Sequence, residues 1–452
     1  MRRTIPKAAP GLFFAGRARG SATEPVSSLS ILVLCPHYLP DTAPTGEVMA
    51  SLCERWIAQG HRVEVISSLP WYKNHAVAEG WRGRLLHTEP AVWGRIRRWY
   101  PFAMQKAGLW RRVLGFVGFS VLVGLDALRA ARRCDVVFAM SPPLTLGAAG
   151  WIASVVGRAP LVFNVQDIFP DAGVHTKVLR NRWIVSLASR LERWLYQKAA
   201  AVTVLSQDMA DNVQAKLHKR VVLQADKHKG LQASKVHVIP NSADIERIIP
   251  LTRHNSYRAQ LGLADSGIAV VMYAGNLGHS QSLDLVIGAA QRCLAQGRQD
   301  ICFVINGDGV ARAAIAAAAK RLSNLHLVGW QPPERLGEVL AAADIHLVLL
   351  RAGLGASSMP SKLHSVLAAG RPVLASVDED SEVARLVQAS GAGISVAPDN
   401  LDAFFQALMQ MVDAPEILQQ MGQNARQHAI THASPEQLAD LYLELFAQVI
   451  AS

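Results

Sequence analysis

Residues 359 to 377, MPSKLHSVLAAGRPVLASV, read as a short helix followed at once by a buried strand. Pro360 and Ser361 open the helix, Gly370 closes it and Pro372 prevents its continuation, while residues 373 to 377 are apolar and partly β-branched. A helix start of this kind is a ready anion site, because its first N–H groups lack partners and lie at the positive end of the helix dipole. Lys362 adds a charge in the first turn. Pro360, Ser361, Lys362 and Leu363 are therefore the candidate cradle for a diphosphate.

Outward from this stretch, apolar strands alternate with helical segments along the chain. A first series comprises ILVLC after Ser30, VEVISS (63–68), DVVFAM (135–140), PLVFNVQ (160–166) and AAVTVLS (200–206). A second comprises KVHVIPNS (235–242), AVVMYAG (269–275), ICFVING (301–307), LHLVGW (325–330), DIHLVLL (344–350) and PVLASV (372–377). Strands separated by helices imply parallel sheets, and two such series imply two doubly wound α/β domains in tandem. In the first β-α-β unit a helix is expected from about Val48 to Gln59, with the loop PHYLPDTAPTGE at the carboxyl end of its first strand, where open α/β sheets bind ligands. The division expected is a flexible basic tail over residues 1–28, an N-terminal domain over 29–225, a second domain over 226–432 and a terminal helix over 433–452. Ser434 and Gln437 form a capping box for that amphipathic helix, which is expected to pack back toward the first domain.

Half of the 452 residues are apolar, enough to fill two large cores. No apolar run reaches the roughly 18 residues of a membrane-spanning helix. Cys35, Cys53, Cys134, Cys293 and Cys302 form no C-x-x-C pair, which points away from a zinc site or a disulfide framework and fits a cytoplasmic location. Charge is strongly asymmetric. Residues 1–230 carry 31 Lys and Arg against 15 Asp and Glu, whereas residues 231–452 carry 15 against 20, so the net +11 arises in the first half. A basic half of this kind suits an anionic surface.

The second series holds the loops suited to a nucleotide. Gly275, Asn276 and Gly278 follow the strand VVMYA, and Gly307, Asp308 and Gly309 follow ICFVIN; glycines there let backbone approach a diphosphate closely. Trp330 follows the next strand, with an aromatic face suited to a base.

In this order and spacing the segments resemble the C-terminal domain of the glycosyltransferase family 4-like enzymes: a glycine turn, a G-D-G turn, the strand AAADIHLVLL (341–350) and the helix end VLAAGRPVLAS (366–376). ILVLCPHYLPDTAPTGE, GHRVEVISSLP, SPP (141–143), NVQDIFPD (164–171), VTVLSQDM (203–209) and KVHVIPNSAD (235–244) extend the likeness into the first half. They are similar to the subgroup that builds bacterial surface polysaccharides, with its fucosyl- and fucosaminyl-transferases. The resemblance implies a GT-B fold, two Rossmann-like parallel-sheet domains facing across a cleft. It further implies a nucleotide-sugar donor held by the second domain, an acceptor held by the first, and transfer with retention of configuration. Neither a metal nor a cofactor is implied, the nucleotide sugar being a substrate; Asp378-Glu-Asp380 spells D-x-D but reads as an exposed turn after a strand.

The same resemblance assigns residues and exposes departures. Asp167 falls where relatives carry a functional His or Asp, and is the candidate catalytic contact to donor sugar or acceptor hydroxyl. Gly46 falls where a glycine backbone approaches the donor phosphates, and His37 in the same loop is the candidate acceptor contact, with donation to a phosphate as the alternative. Where many members have two glutamates this chain has Ser357 and Ser365; where they have an Arg and a Lys on the diphosphate it has Asn276 and Gln281. The anion would then rest on backbone N–H groups and Lys362. A nucleotide-sugar epimerase of the same fold and a nucleotide-binding scaffold without turnover are the alternatives.

Residues 93–133 combine Trp93, Trp99, Tyr100, Phe102 and Trp110 with Arg95, Arg97, Arg98, Lys106, Arg111 and Arg112, then a largely apolar thirteen-residue segment from Val113 to Leu125, then Arg129, Arg132 and Arg133. Such a segment suits the headgroup region of an anionic membrane, and equally a buried helix of the first domain. Membrane contact would suit a lipid-linked saccharide acceptor and a peripheral position on the inner face of the plasma membrane. A nucleic-acid module would interleave its aromatics with basic residues over a sheet or groove and would leave the second domain without a purpose, so no nucleic-acid partner is expected.

Overall fold

The computed structural model describes residues 28–452 except 42, 73–75, 92–93, 103–108, 176–178, 180, 219–234, 265–266 and 433. The basic tail, Trp93, Lys106 and residues 219–234, around the expected domain boundary, lie outside the described residues.

The first sheet contains β1 (Ser30–Leu34), β2 (Arg62–Ser68), β3 (Leu86–Ala91), β4 (Gly94–Trp99), β5 (Val136–Ser141), β6 (Leu161–Val165), β7 (Ala201–Val204) and β8 (Val236–Val238). Their order is β3-β4-β2-β1-β5-β6-β7-β8, parallel except for the antiparallel β3–β4 pair at one edge. Helices α1 (Pro44–Ala58), α2 (Leu109–Ala130), α3 (Leu144–Gly157), α4 (Asp171–His175), α5 (Arg182–Lys198) and α6 (Gln207–His218) connect them.

The second sheet contains β9 (Ala269–Ala274), β10 (Ile301–Asn306), β11 (Leu325–Val328), β12 (Ile345–Leu349), β13 (Val373–Ser376) and β14 (Gly393–Val396), all parallel in the order β11-β10-β9-β12-β13-β14. Around it lie α7 (Ser256–Gln260), α8 (Leu283–Ala295), α9 (Arg312–Ala319), α10 (Leu336–Ala341), α11 (Lys362–Ala368), α12 (Glu382–Ser390), α13 (Leu401–Val412) and α14 (Pro415–His432). The strand order reverses between β1 and β5 in one sheet and between β9 and β12 in the other, so each domain has its ligand crevice beyond the carboxyl ends of those strands.

One face of the first sheet is covered by α2, α3, α5 and α6, through buried Phe119, Val123, Leu146, Leu195 and Met209. The other is covered by α1 and the terminal helix α15 (Pro435–Ala451), where Trp56 meets Phe138, Tyr442 and Phe446 edge to face at 5.3 to 6.0 Å. Ser434 Oγ caps α15 by accepting from Gln437 N, and the Trp56 indole donates to Ala439 O at 3.1 Å. Aromatic burial of this kind is a large apolar contribution, which is why a helix from the chain's end belongs to its first domain.

Four local expectations are corrected. KVHVIPNS does not open the second sheet: β8 pairs with β7, and the chain crosses only afterwards. The helix expected from Val48 starts at Pro44, since proline at N1 lacks only an N–H that would have no partner there. The helix expected to open at Pro360 and Ser361 starts at Lys362, with Ser361 as its N-cap. The fourth concerns residues 93–133, of which Gly94–Trp99 form β4 rather than a headgroup-facing segment. Arg98 is fully buried, donating to Glu89 Oε1 at 2.7 Å, and Arg97 pairs with Asp126, a buried carboxylate that also accepts from the Trp99 indole at 2.8 Å. The helix that follows is long and apolar enough over Leu114–Arg133 to cross a membrane, but it lies on the sheet with Phe119, Val123, Asp126 and Ala127 buried.

Candidate active site

In the second domain the loops after β9 and β10 pack backbone against backbone. Gly275 N donates to Asn306 O at 2.9 Å and Leu277 N to Asp308 O at 2.8 Å. Gly307 has φ +154°, and a Cβ there would stand 1.9 Å from Gly275 O; at Gly309 it would stand 2.6 Å from Leu277 O. These glycines therefore serve first to let the two loops touch. Their N–H groups are engaged within the protein: Gly307 with Val328 O, Gly309 with Asp308 Oδ1, Gly278 with Gln281 Oε1. Gln281 thus props the glycine loop where relatives are expected to place a diphosphate-binding lysine. Asn276 lies in the same contact, its Oδ1 beside Gly309, and Trp330 is half-buried beyond β11.

Lys362, at the start of α11, reaches across the β9–β12 switch point. Its Nζ lies 3.4 Å from the centroid of the Tyr273 ring and beside Gly275, is buried, and has no hydrogen-bond partner among the described residues. Desolvation holds its pKa well below the ordinary lysine value. Tyr273 OH donates to Asn276 O at 2.7 Å, so one side chain carries the cation and fixes the glycine loop. Burial raises the Tyr273 hydroxyl far above the usual phenol range, with Tyr72 of the first domain adding to the rise. Tyr273 was missed from sequence, although a tyrosine one residue before the end of a buried strand, at a glycine loop, is a legible signal. Leu363 does not act as a donor: its N–H bonds to Pro360 O at 3.1 Å and its side chain is in the core.

From the first domain, Asp167 follows β6 and meets the loop between β12 and α11. Ser358 Oγ donates to Asp167 Oδ1 at 2.6 Å, Ile168 N donates to Ser357 O at 2.9 Å, and Asp167 and Ser358 form an isolated antiparallel bridge. Burial raises the Asp167 carboxyl to about 6, the Ser358 bond opposing that rise. The loop is held from behind by a buried amide network: Gln166 with Asn241 and Asn164, and Asn164 with Thr203 and Tyr442 of α15. Ser357 lies buried against Leu354 O, and Asp378 accepts from Gly353 N and Gly355 N, so the D-x-D spelling anchors the same loop. Asp208 at the start of α6 adds a contact across the domains, accepting from Glu382 N at 2.6 Å and from Arg385.

His37 lies in the loop after β1. Its Nδ1 is 2.7 Å from Asp41 Oδ2, Asp41 Oδ1 accepts from Tyr72 N at 3.0 Å, and the rings of Trp71 and Tyr72 stand 5.4 Å from the imidazole. Gly46 at the start of α1 packs on this loop, where a Cβ would come within 3.2 Å of His37 and Tyr38. His37 is thus part of a built cluster, invisible in sequence because Asp41, Trp71 and Tyr72 reach it through the fold. Among the described residues no group of three or more His, Cys, Asp and Glu converges as a metal site would require.

Two Rossmann-like domains meeting over a glycine loop, a buried lysine and a bridging carboxyl have the GT-B arrangement. Residues 45–242 match the glycosyl transferase 4-like domain, and residues 268–414 match the glycosyl transferases group 1 model. The chain belongs to the family 4-like GT-B glycosyltransferases. It is 26% identical to a protein described as a putative colanic acid biosynthesis glycosyl transferase, WcaI of Escherichia coli (strain K12), over 86% of this chain and 93% of that one. It is 25% identical to the probable glycosyltransferase WbjE of Pseudomonas aeruginosa over 65% and 70%. Among solved structures, HepE of Anabaena in complex with UDP-glucose superposes with a TM-score of 0.66 at 16% identity, covering 93% of this chain and 100% of that chain. Sucrose-phosphate synthase from Thermosynechococcus elongatus gives 0.69 at 17% identity, covering 94% and 99%.

Proposed function

We propose that this glycosyltransferase moves a sugar from a nucleotide-sugar donor to a lipid-linked saccharide during synthesis of a surface polysaccharide. The transfer retains anomeric configuration, needs no metal, and takes place at the inner face of the plasma membrane. The observation that carries the donor half is Lys362: a buried amino group with no hydrogen-bond partner among the described residues, resting on Tyr273 at a switch point, whose charged form a bound anion would favour. A donor diphosphate supplies that charge, and Lys362 stabilises the negative charge that grows on it as the glycosidic bond breaks. Asp167, at the domain contact, orients the donor sugar or the acceptor hydroxyl. The polysaccharide setting is supported by the similarity to WcaI, and a nucleotide sugar by the UDP-glucose held in HepE, whose fold this chain shares.

The test is thermal stabilisation across UDP-, GDP- and dTDP-sugars, followed by transfer from the best donor to a polyprenyl-diphosphate sugar, with the product anomer read by NMR. Stabilisation by one donor class and a product of retained configuration are expected. No response to any nucleotide sugar would remove the transferase reading. Binding without transfer would favour the non-catalytic scaffold that Ser357 and Ser365, in place of glutamates, bring into consideration, and turnover of the donor sugar itself would favour the epimerase.

A further inference from the structure

The outer surface of α2, α3 and α5 is unlike the rest of the first domain. On α2, Leu114, Val117, Val121 and Leu125 recur at helical spacing on the side away from the sheet, and all are exposed. Ile152, Val155 and Val156 on α3 are exposed as well, and α3 packs between the other two helices. On α5, Trp183 is 86% and Leu187 70% exposed, one turn apart. Single exposed apolar residues need no account, but three adjacent helices carrying them do.

Charge identifies what covers this face. The acidic residues of the three helices are Asp126 and Glu192, each 1% exposed, Asp126 paired with Arg97 and Glu192 with Lys216. The exposed charges on these helices and their ends are cationic apart from Asp135, which accepts from Ser30 N: Arg129, Arg132, Arg158, Arg182, Arg190 and Arg193 are among them. At the end of α2, Arg129 and Arg132 line a cavity of about 400 Å³ together with Trp99, Leu122, Leu125 and the paired Asp126, so cationic and apolar groups share one recess. A protein partner would be met by mixed charges. Apolar side chains on helices whose exposed charge is overwhelmingly cationic complement an anionic bilayer, with the apolar groups in the acyl boundary and the guanidinium groups on lipid phosphates.

We infer that α2, α3 and α5 together form the surface by which the enzyme docks on an anionic lipid bilayer. Arg98 of β4 takes no part, being fully buried. The inference rests on the lipid-linked acceptor only for its purpose; lipid docking and donor binding are measured separately.

The test uses the full chain and vesicles of phosphatidylcholine with and without about 30 mol% phosphatidylglycerol. Flotation with the anionic vesicles alone, weakened by about 0.5 M salt, is expected. Val121→Glu combined with Leu187→Glu should lower vesicle binding at least about tenfold while melting temperature and stabilisation by the donor stay unchanged. Ile417→Glu, on exposed α14, should leave vesicle binding at its original level. Failure of the unaltered protein to float with anionic vesicles would overturn the inference, as would equal binding by the double variant. So would sedimentation showing a dimer that the double variant dissociates, since the face would then be a contact between two copies.

Discussion

Ser358 donates its hydroxyl proton to Asp167 Oδ1 at 2.6 Å, joining the loop after β6 to the loop before α11 across 191 residues of sequence. Each residue stands beside a second contact across the domains, Ile168 N to Ser357 O and Asn212 to Ala356 O. The carboxyl is therefore held at the place where the domains meet, next to the stretch that carries Lys362.

That position makes Asp167 a measurable titration. Burial raises its carboxyl to about 6, so the group favours the folded state while protonated. Its contribution is fully present below the unfolded value near pH 4 and is lost as pH rises through about 6, worth on the order of 3 kcal/mol. Asp167→Asn keeps the shape and can still accept from Ser358, but does not titrate. The difference in melting temperature, variant minus original, should be near zero at about pH 4, climb through about pH 6 and level off above about pH 7. A flat difference over that range would mean the carboxyl is solvated. The same variant should lower transfer roughly a hundredfold, read from initial rates at saturating donor.

Lys362 predicts opposite effects on stability and affinity. Its amino group is desolvated, and among the described residues the Tyr273 ring is what offsets the cost of charging it. Lys362→Met should raise unfolding free energy by about 1 kcal/mol in the absence of ligand. It should also weaken nucleotide-sugar affinity about tenfold or more, since a charge-assisted contact to phosphate is lost. Paired melts with and without nucleotide sugar measure both. An unchanged ligand-induced shift would place the diphosphate elsewhere.

The glycine loops separate two kinds of glycine. Gly307→Ala puts a methyl group 1.9 Å from the backbone oxygen of Gly275 at φ +154°, so one loop must move; a loss of about 2 to 4 kcal/mol and of donor-induced stabilisation is expected. At Gly278 an added Cβ meets only the side-chain ends of Gln281, at 2.7 Å, and Asn276, at 2.9 Å. Those can turn aside. Gly278→Ala should cost under about 1 kcal/mol by thermal melt, and equal costs at both sites would contradict the loop packing described.

What was legible in the sequence followed physical range. Buried parallel strands are continuous apolar runs, so β1, β9, β10 and β13 could be read directly, and the two series of them gave the two-domain plan. The hairpin β3–β4 could not, because Arg95, Arg97 and Arg98 read as surface until Glu89, reached by the hairpin, and Asp126, carried on α2, come to meet two of them. β8 was placed in the wrong domain because an apolar run does not say which sheet edge it joins. Within the site, local elements such as the 307–309 turn and Lys362 were legible. Contacts made by the fold were not: Asp167 with Ser358, Lys362 with Tyr273, and Trp71 and Tyr72 around His37.

Arg98 connects that hidden hairpin to the loop that carries His37. Its guanidinium donates to Glu89, to Tyr38 O at 3.3 Å and to Leu39 O, and it lies over the rings of Tyr38 and Trp81 at 5.7 and 5.6 Å. Tyr38 and Leu39 belong to the loop that carries His37 and Asp41, so the edge hairpin holds that loop through one side chain. Arg98→Met keeps most of the apolar stem but leaves two carbonyls without their donor, a cost of about 2 to 3 kcal/mol. Its kinetic effect should fall on one substrate. The Michaelis constant for the acceptor should rise several-fold, whereas stabilisation by nucleotide sugar, which depends on the second domain, should be retained. Vesicle flotation should also be unchanged, because Arg98 is fully buried and apart from the α2, α3 and α5 face. A variant with weakened donor binding and an unaltered acceptor constant would show that the β1 loop serves the donor, and His37 would then contact a donor phosphate rather than the acceptor.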